Sequence, residues 1–181
     1  MEQLEFLDKY EANLMQDELR LCRDLGELDN RLLETPDISE KWDGIVQEYM
    51  LDSIKEIANY PTVALGWAMY VGMAVAKYWD EDWAIYDKVE NLYIHIRDKR
   101  GYDYLDEVVR GEIFGLKDEA YTHCEDIVRS CAQSALDHIR HEQIEPQSPM
   151  AYYVYARSIK VLYKIGAAVA LKRLGYNMEA I

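Results

Sequence analysis

The sequence predicts an all-α protein, one domain spanning residues 1–181, built as a bundle of six to seven helices around two nearly apolar central ones. Three observations carry that expectation. Thr62 to Ala76, TVALGWAMYVGMAVA, holds no charged side chain through fifteen positions, so every face of a helix formed there must find apolar neighbours. Ala151 to Leu174 is almost as apolar and bears only a thin basic line, Arg157, Lys160 and Lys164. The remaining segments carry apolar residues at the three- and four-residue spacing of amphipathic helices.

The first helix is expected from about Glu2 to Leu33, with Leu4, Leu7, Leu14, Leu21, Leu25, Leu28 and Leu32 on heptad positions. Glu11 and Glu18 fall on the same register where leucine would be expected. The reading is that both sit on the wet margin of the stripe; the alternative is that they point into the bundle as ligands or acid–base groups.

Thr35-Pro36-Asp37 breaks the chain and supplies a cap and a first-turn proline for a second helix reaching about Asn59. Its buried face is read as Trp42, Ile45, Val46, Tyr49, Met50, Ile54 and Ile57. Asn59-Tyr60-Pro61 ends it, and Thr62 is expected to cap the central helix. Within that helix Gly66 and Gly72, with Ala64, Ala68, Ala74 and Ala76, remove bulk. Glycine in a helix interior costs about 1 kcal/mol relative to alanine, so the two are read as sites where another helix approaches closely rather than as a bed for a ligand.

Three carboxylates in Trp79-Asp80-Glu81-Asp82-Trp83 would oppose the dipole at a helix C-terminus. They are therefore read as the beginning of a fourth helix, capped by Asp80, with Ile85, Val89, Leu92 and Ile96 as its stripe and Tyr86 and Tyr93 behind it. His95 adjoins the stripe as a hydrogen-bonded or exposed histidine. Arg97 to Arg100 and Gly101 close this helix with the expected C-terminal chemistry. A short fifth helix follows, lined by Leu105, Val108, Val109, Ile113 and Leu116 and weakened by Gly111 and Gly115. The sixth, capped by Asp118, carries the stripe Ala120, Cys124, Ile127, Val128, Cys131, Ala135 and Ile139, with His138 inside it and Glu142 one turn later. Ser148-Pro149 begins the last helix, Gly175 stops it, and its basic line is expected to meet carboxylates of a neighbouring helix.

A faint internal repeat links the halves. Ile45-Val46, Ile54 and Ile57 match Ile127-Val128, Leu136 and Ile139 at an offset of 82, while GMAVAK from Gly72 and GAAVALK from Gly166 match at 94. A duplicated helical hairpin with an insertion in its later turn accounts for both offsets; chance agreement between two helical segments accounts for them equally well.

The net charge of −14 repels phosphate backbones and anionic lipid surfaces, which argues against nucleic acid and membrane as partners. The uncharged run from Thr62 reaches Lys77 after about 22 Å, short of a hydrocarbon layer of about 30 Å. Three cysteines without a CxxC pair suit a reducing compartment, and the acidic N-terminus does not resemble an export signal. The expected location is cytoplasmic.

Chemistry is sparse. Asp137, His138, His141 and Glu142 are the best metal candidates, but on a helix His141 stands roughly 80° from His138, and the Glu-x-x-His pattern of di-iron bundles is absent. No nucleophile elbow or phosphate-binding glycine loop occurs, so no catalytic residue and no cofactor is assigned. Of the fifteen tyrosines many fall beside the core stripes, where they suit the rim of an interior or a subunit interface. The expectation is a non-enzymatic protein that binds another protein or forms a homo-oligomer. The alternative is a small-molecule or metal-binding protein, or an enzyme, with a site inside the bundle where His138 faces a carboxylate such as Glu18 or Glu11.

Overall fold

Eight α-helices, joined by turns and by one 3₁₀ and one π-helical segment, make up the described residues, 2–176, of the computed structural model, and no strand occurs among them. The long ones are α1 (Glu2–Asp24), α2 (Pro36–Asn59), α3 (Pro61–Glu81), α7 (Asp118–His141) and α8 (Pro149–Arg173). Between α3 and α7 lie α4 (Trp83–Lys88), α5 (Leu92–Arg100), the 3₁₀ turn Tyr102–Tyr104, α6 (Leu105–Glu107) and the π-helical turn Val108–Ile113.

The two apolar segments form the axis of the molecule as expected. In α3 every residue from Leu65 to Ala76 except Trp67 is buried, and in α8 the same holds from Ile159 to Leu171 except Lys160 and Lys164. They are the most extensively packed pair of helices. Both glycines at their crossing are needed for the approach. A Cβ on Gly72 would stand 2.0 Å from the carbonyl oxygen of Tyr163, and one on Gly166 would stand 2.1 Å from that of Met69. Backbone meets backbone there, which only glycine permits. Gly66 faces something softer, the Val128 Cγ1 methyl at 3.1 Å from such a Cβ. No helix is long and apolar enough to cross a membrane, among the described residues.

The internal repeat has a geometric counterpart. α2 and α7 are each 24 residues long, and their first residues, Pro36 and Asp118, and their last, Asn59 and His141, are both 82 apart. At the crossing, the partners Met69 and Gly166 are exchanged for Tyr163 and Gly72 by the offset of 94. The α2–α3 and α7–α8 hairpins thus meet in a pseudo-two-fold manner. α1 packs on α7 and α8, while α4 and α5 pack on α3 and α2, so each hairpin has its own cover.

Several boundaries differ from the sequence reading. α1 ends at Asp24 rather than Leu33, because Gly26 turns the chain at φ +78°. Leu28 and Leu33 are still buried, but from an extended segment, and Leu4 and Leu25 are exposed. The buried face of α1 is Leu7, Tyr10, Leu14, Glu18 and Cys22. α3 continues through Asp80 and Glu81, so these acids end a helix instead of starting one; Lys77 pairs with Glu81 there. Asp82 is the cap that follows, its Oδ1 accepting from Ile85 N at 3.2 Å. The expected fourth helix is split at Val89–Asn91, where Asn91 caps α5. Tyr60, not Thr62, occupies the N-cap position of α3, with Pro61 in its first turn. The N-cap position of α7 is Lys117 rather than Asp118, and Ala120 is exposed. Of Thr35, Asp37 and Ser39, each available in the sequence to cap α2, Thr35 does so, and Ser148 caps α8 as read.

Polar side chains tie the covers to the core. Tyr163 donates to the carbonyl of Ile38 at 2.7 Å, Tyr49 to that of Ala64, and Trp67 to that of Tyr102 at 2.9 Å. Arg110, 3% exposed, lies over the Tyr121 ring at 3.9 Å and reaches Asp106 at 3.1 Å and Glu125 at 3.2 Å. It fastens the π-helical turn to α7. The basic line of α8 meets α1 as expected, Arg157 reaching Asp8 at 2.8 Å and Glu11 at 3.2 Å, and Lys160 reaching Glu11 at 3.7 Å.

Candidate functional site

The densest group of chemically active side chains among the described residues lies where α1 packs on α7. α1 runs parallel to α8, since Asp8 pairs with Arg157 and Glu11 with Lys160, and Glu27 just past the end of α1 reaches Arg173. It runs antiparallel to α7, since Tyr10 and Asp17 sit at His138 while Cys22 sits at Cys131. One face of α1 therefore presents Tyr10, Asp17, Glu18 and Cys22 to Cys131, Ser134 and His138 along α7. At the α8 side Tyr10 Oη and Ser158 Oγ are 2.7 Å apart.

Glu18 is the anomaly of the seam. It is wholly buried, and neither carboxylate oxygen has a partner in ordinary hydrogen-bond geometry. This corrects the expectation that it lies on the wet margin. The leucine stripe of α1 rotates so that Leu14, Glu18 and Cys22, one turn apart, share the interior line, while Leu21 is only partly covered. Burial holds the Glu18 carboxyl well above the ordinary range, the Cys22 thiol adds to the rise, and the Cys131 and Ser134 side chains offset only part of it. A carboxyl so placed keeps its proton. Cys22 Sγ and Cys131 Sγ stand 3.7 Å apart, both fully buried. The Cys131 thiol is pushed up by its hydrogen bond with Cys22, then by burial, then by the Glu18 charge.

The other candidates divide. His138 is 25% exposed at its side chain and meets Asp17, whose Oδ2 lies 2.6 Å from its Nε2; it faces neither Glu18 nor Glu11. The Tyr10 ring stands edge-on to it, 6.4 Å between centroids. Glu11 remains at the margin as expected, held by Arg157 and Lys160. Glu142 is half-buried just past the end of α7, near enough to Tyr10 to add to the rise of its phenol. His141 is exposed. No three His, Cys, Asp or Glu side chains are placed to share a metal ion, among the described residues, so Asp137, His138, His141 and Glu142 do not form the ion site considered from their spacing.

Sequence reasoning missed Asp17 and the meeting of Cys22 with Cys131. Cys22 follows Glu18 by four residues and Leu14 by eight, a signal that was present in the spacing. Nothing in the sequence aligned α1 against α7. Above this cluster a groove of about 540 Å³ runs between the two helices, lined by Leu21, Arg129, Ser130, Gln133, Ser134 and Asp137. A second cleft of about 510 Å³ lies between the end of α3 and the π-helical turn, where Lys77 and Lys99 are offset by Glu81, Asp82 and Glu112.

Compared with known proteins, the chain matches no family model, no curated protein and no solved structure.

Proposed function

We propose that this chain is a non-enzymatic helical protein that acts by binding a second copy of itself or another protein. The observation that carries the reading is on α2. Leu51 and Ile54, three residues apart and hence neighbours on one helix face, are 58% and 53% exposed, and Tyr60 beyond them is 68% exposed. The periodicity of α2 assigns Ile54 to its buried face, yet the rest of the chain leaves it wet. An apolar face that its own fold does not cover is what an interface offers before its partner arrives. Glu48, Asp52, Lys55 and Glu56 border it, the polar rim such a patch carries.

Light scattering over a concentration series tests this reading, with Leu51→Glu/Ile54→Glu as the comparison. We expect the native chain to form dimers or higher species, or to bind a partner protein through α2, and the double variant to lose that association while keeping its helical content. A strict monomer at high concentration removes self-association, and partner binding that the double variant retains removes the α2 face from the reading.

A small-molecule site at the α1–α7 seam is the second reading, supported by the unpartnered Glu18 carboxyl beside the groove. A ligand that hydrogen-bonds to that carboxyl raises the melting temperature of the native chain and not that of Glu18→Gln. A ligand screen that shifts neither protein speaks against it.

A further inference from the structure

The seam between α1 and α7 holds two thiols in contact and one carboxyl without a hydrogen-bond partner, and neither reading above uses the thiols. Cys22 and Cys131 come from positions 109 residues apart and meet because Cys22 ends the buried line of α1 while Cys131 lies midway along that of α7. Their sulfurs, at 3.7 Å, must close to about 2.05 Å to bond. Glu18, one turn before Cys22 on the same face of α1, neighbours Cys131 as well. Leu21, Ser130 and Ser134 stand between this cluster and solvent and line the groove of about 540 Å³, ample room for a molecule little larger than water. The third cysteine, Cys124, is as buried as the pair but takes no part in their contact.

We propose that Cys22 and Cys131 are a modification site: a peroxide entering from the groove converts them to a reversible disulfide, with Glu18 accepting the proton of the Cys131 thiol. In the first step the Cys131 proton passes to the carbonyl oxygen of the neutral Glu18 carboxyl, whose own O–H proton is given up on the other side, and Cys131 Sγ attacks one peroxide oxygen. The oxygen–oxygen bond breaks, and the departing hydroxide takes the proton that Glu18 gives up and leaves as water. Cys131 is then a sulfenic acid. In the second step Cys22 Sγ attacks Cys131 Sγ, the sulfur–oxygen bond breaks, and the leaving hydroxide takes the Cys22 proton as a second water. Two thiols have lost two electrons and one hydrogen peroxide has gained them. Glu18 ends as it began. A thiol reductant reverses the change by exchange.

Cys131 is placed as the first to react because Ser130 and Ser134, its sequence neighbour and the residue one turn on, open onto the groove, and because Glu18 adjoins its thiol. Cys22 is the resolving partner because it is already in contact. The oxidised form ties the middle of α7 to the end of α1 and fixes the cover of the second hairpin in place.

The test uses the full chain, reduced and then exposed to hydrogen peroxide, alkylated at intervals and mapped without reduction. We expect one free thiol of the three to remain, at Cys124, with a mass lower by about 2 Da for the lost hydrogens of one disulfide and a cross-linked peptide joining Cys22 to Cys131 that dithiothreitol releases. Cys124→Ser should leave the cross-link intact, and Cys22→Ser should stop at an oxidised but unlinked Cys131. Glu18→Gln, whose neutral amide replaces a neutral acid with little change of shape, should slow cross-linking by about a hundredfold, the lower end of what a positioned acid–base group supplies. The proposal is overturned if folded native chain, checked by circular dichroism, forms no Cys22–Cys131 link, if Cys124 is consumed as fast as the pair, or if Glu18→Gln links at the native rate.

Discussion

Replacing Glu18 by glutamine should make the protein more stable, and increasingly so as the pH rises. In an unfolded chain the Glu18 carboxyl ionises near its ordinary value of 4.5. In the folded chain it is wholly buried, its oxygens lack partners, and it holds its proton well above that value. Below pH 4.5 both states carry the proton and the group has no net effect. Above it the unfolded state releases the proton while the folded state retains it. Each further pH unit therefore removes about 1.4 kcal/mol of stability until the folded carboxyl also ionises, after which the loss is constant. Glutamine has no proton to retain, so the native chain carries this slope and the variant does not. If the folded carboxyl keeps its proton from pH 5 to pH 7, the advantage of Glu18→Gln grows by about 2.7 kcal/mol over that range. Urea titrations of both proteins at pH 5, 6, 7 and 8 measure it, since the other titrating groups cancel in the difference and an unchanged m-value confirms that the unfolded states match. The intercept at pH 5 is of no consequence, because a buried amide brings its own unmet donors. A difference that does not change with pH would refute the argument and place Glu18 in contact with water.

Other substitutions test the packing. Gly72→Ala and Gly166→Ala each set a methyl about 2 Å from a backbone oxygen, and since backbone cannot step aside the loss should reach about 3 kcal/mol or more in denaturant titrations. Gly44→Ala, in the interior of α2 with nothing within 4 Å of the new methyl, should instead gain up to about 1 kcal/mol from helix propensity. Tyr49→Phe removes the donor to the buried Ala64 carbonyl and should cost about 1–3 kcal/mol by the same measurement. Arg110→Met leaves Asp106 and Glu125 without their shared cation. It should lower stability by about 2 kcal/mol, with the loss of helix protection in hydrogen exchange confined first to residues 105–116.

The sequence shows the architecture most clearly where one physical signal acts alone. Near-continuous apolarity located α3 and α8, and Gly66 and Gly72 were read as points of close helix approach in preference to a bed for a ligand; the matching role of Gly166 showed only in the fold. Boundaries failed where two signals competed. The heptad of leucines in α1 continues past the point where the chain turns, and Leu28 is buried from an extended segment as a helix would bury it, while Leu33 takes the buried place read for Leu32. The acids at Asp80 and Glu81 were assigned by their repulsion from a helix dipole, a term of about 0.3–1 kcal/mol, yet α3 runs on through them beyond its last buried residue, Ala76, with Lys77 pairing with Glu81 one turn on. In the seam, Glu11 and Glu18 were indistinguishable by spacing. What separates them is the rotation of α1 about its axis, which sets Glu11 beside Arg157 and Lys160 of α8 and turns Glu18 into the interior. That rotation is a tertiary fact. Likewise Asp17 reaches His138 in place of Glu18, because the neighbouring residue points about 100° away.

The two notches at Gly72 and Gly166 make the central rods self-indexing. Slide or roll one by a single residue and a side chain arrives where a carbonyl oxygen already stands, so the alignment of the two hairpins has no adjacent setting to slip into. Whatever the flanking helices do, the axis keeps its place by contact of backbone with backbone.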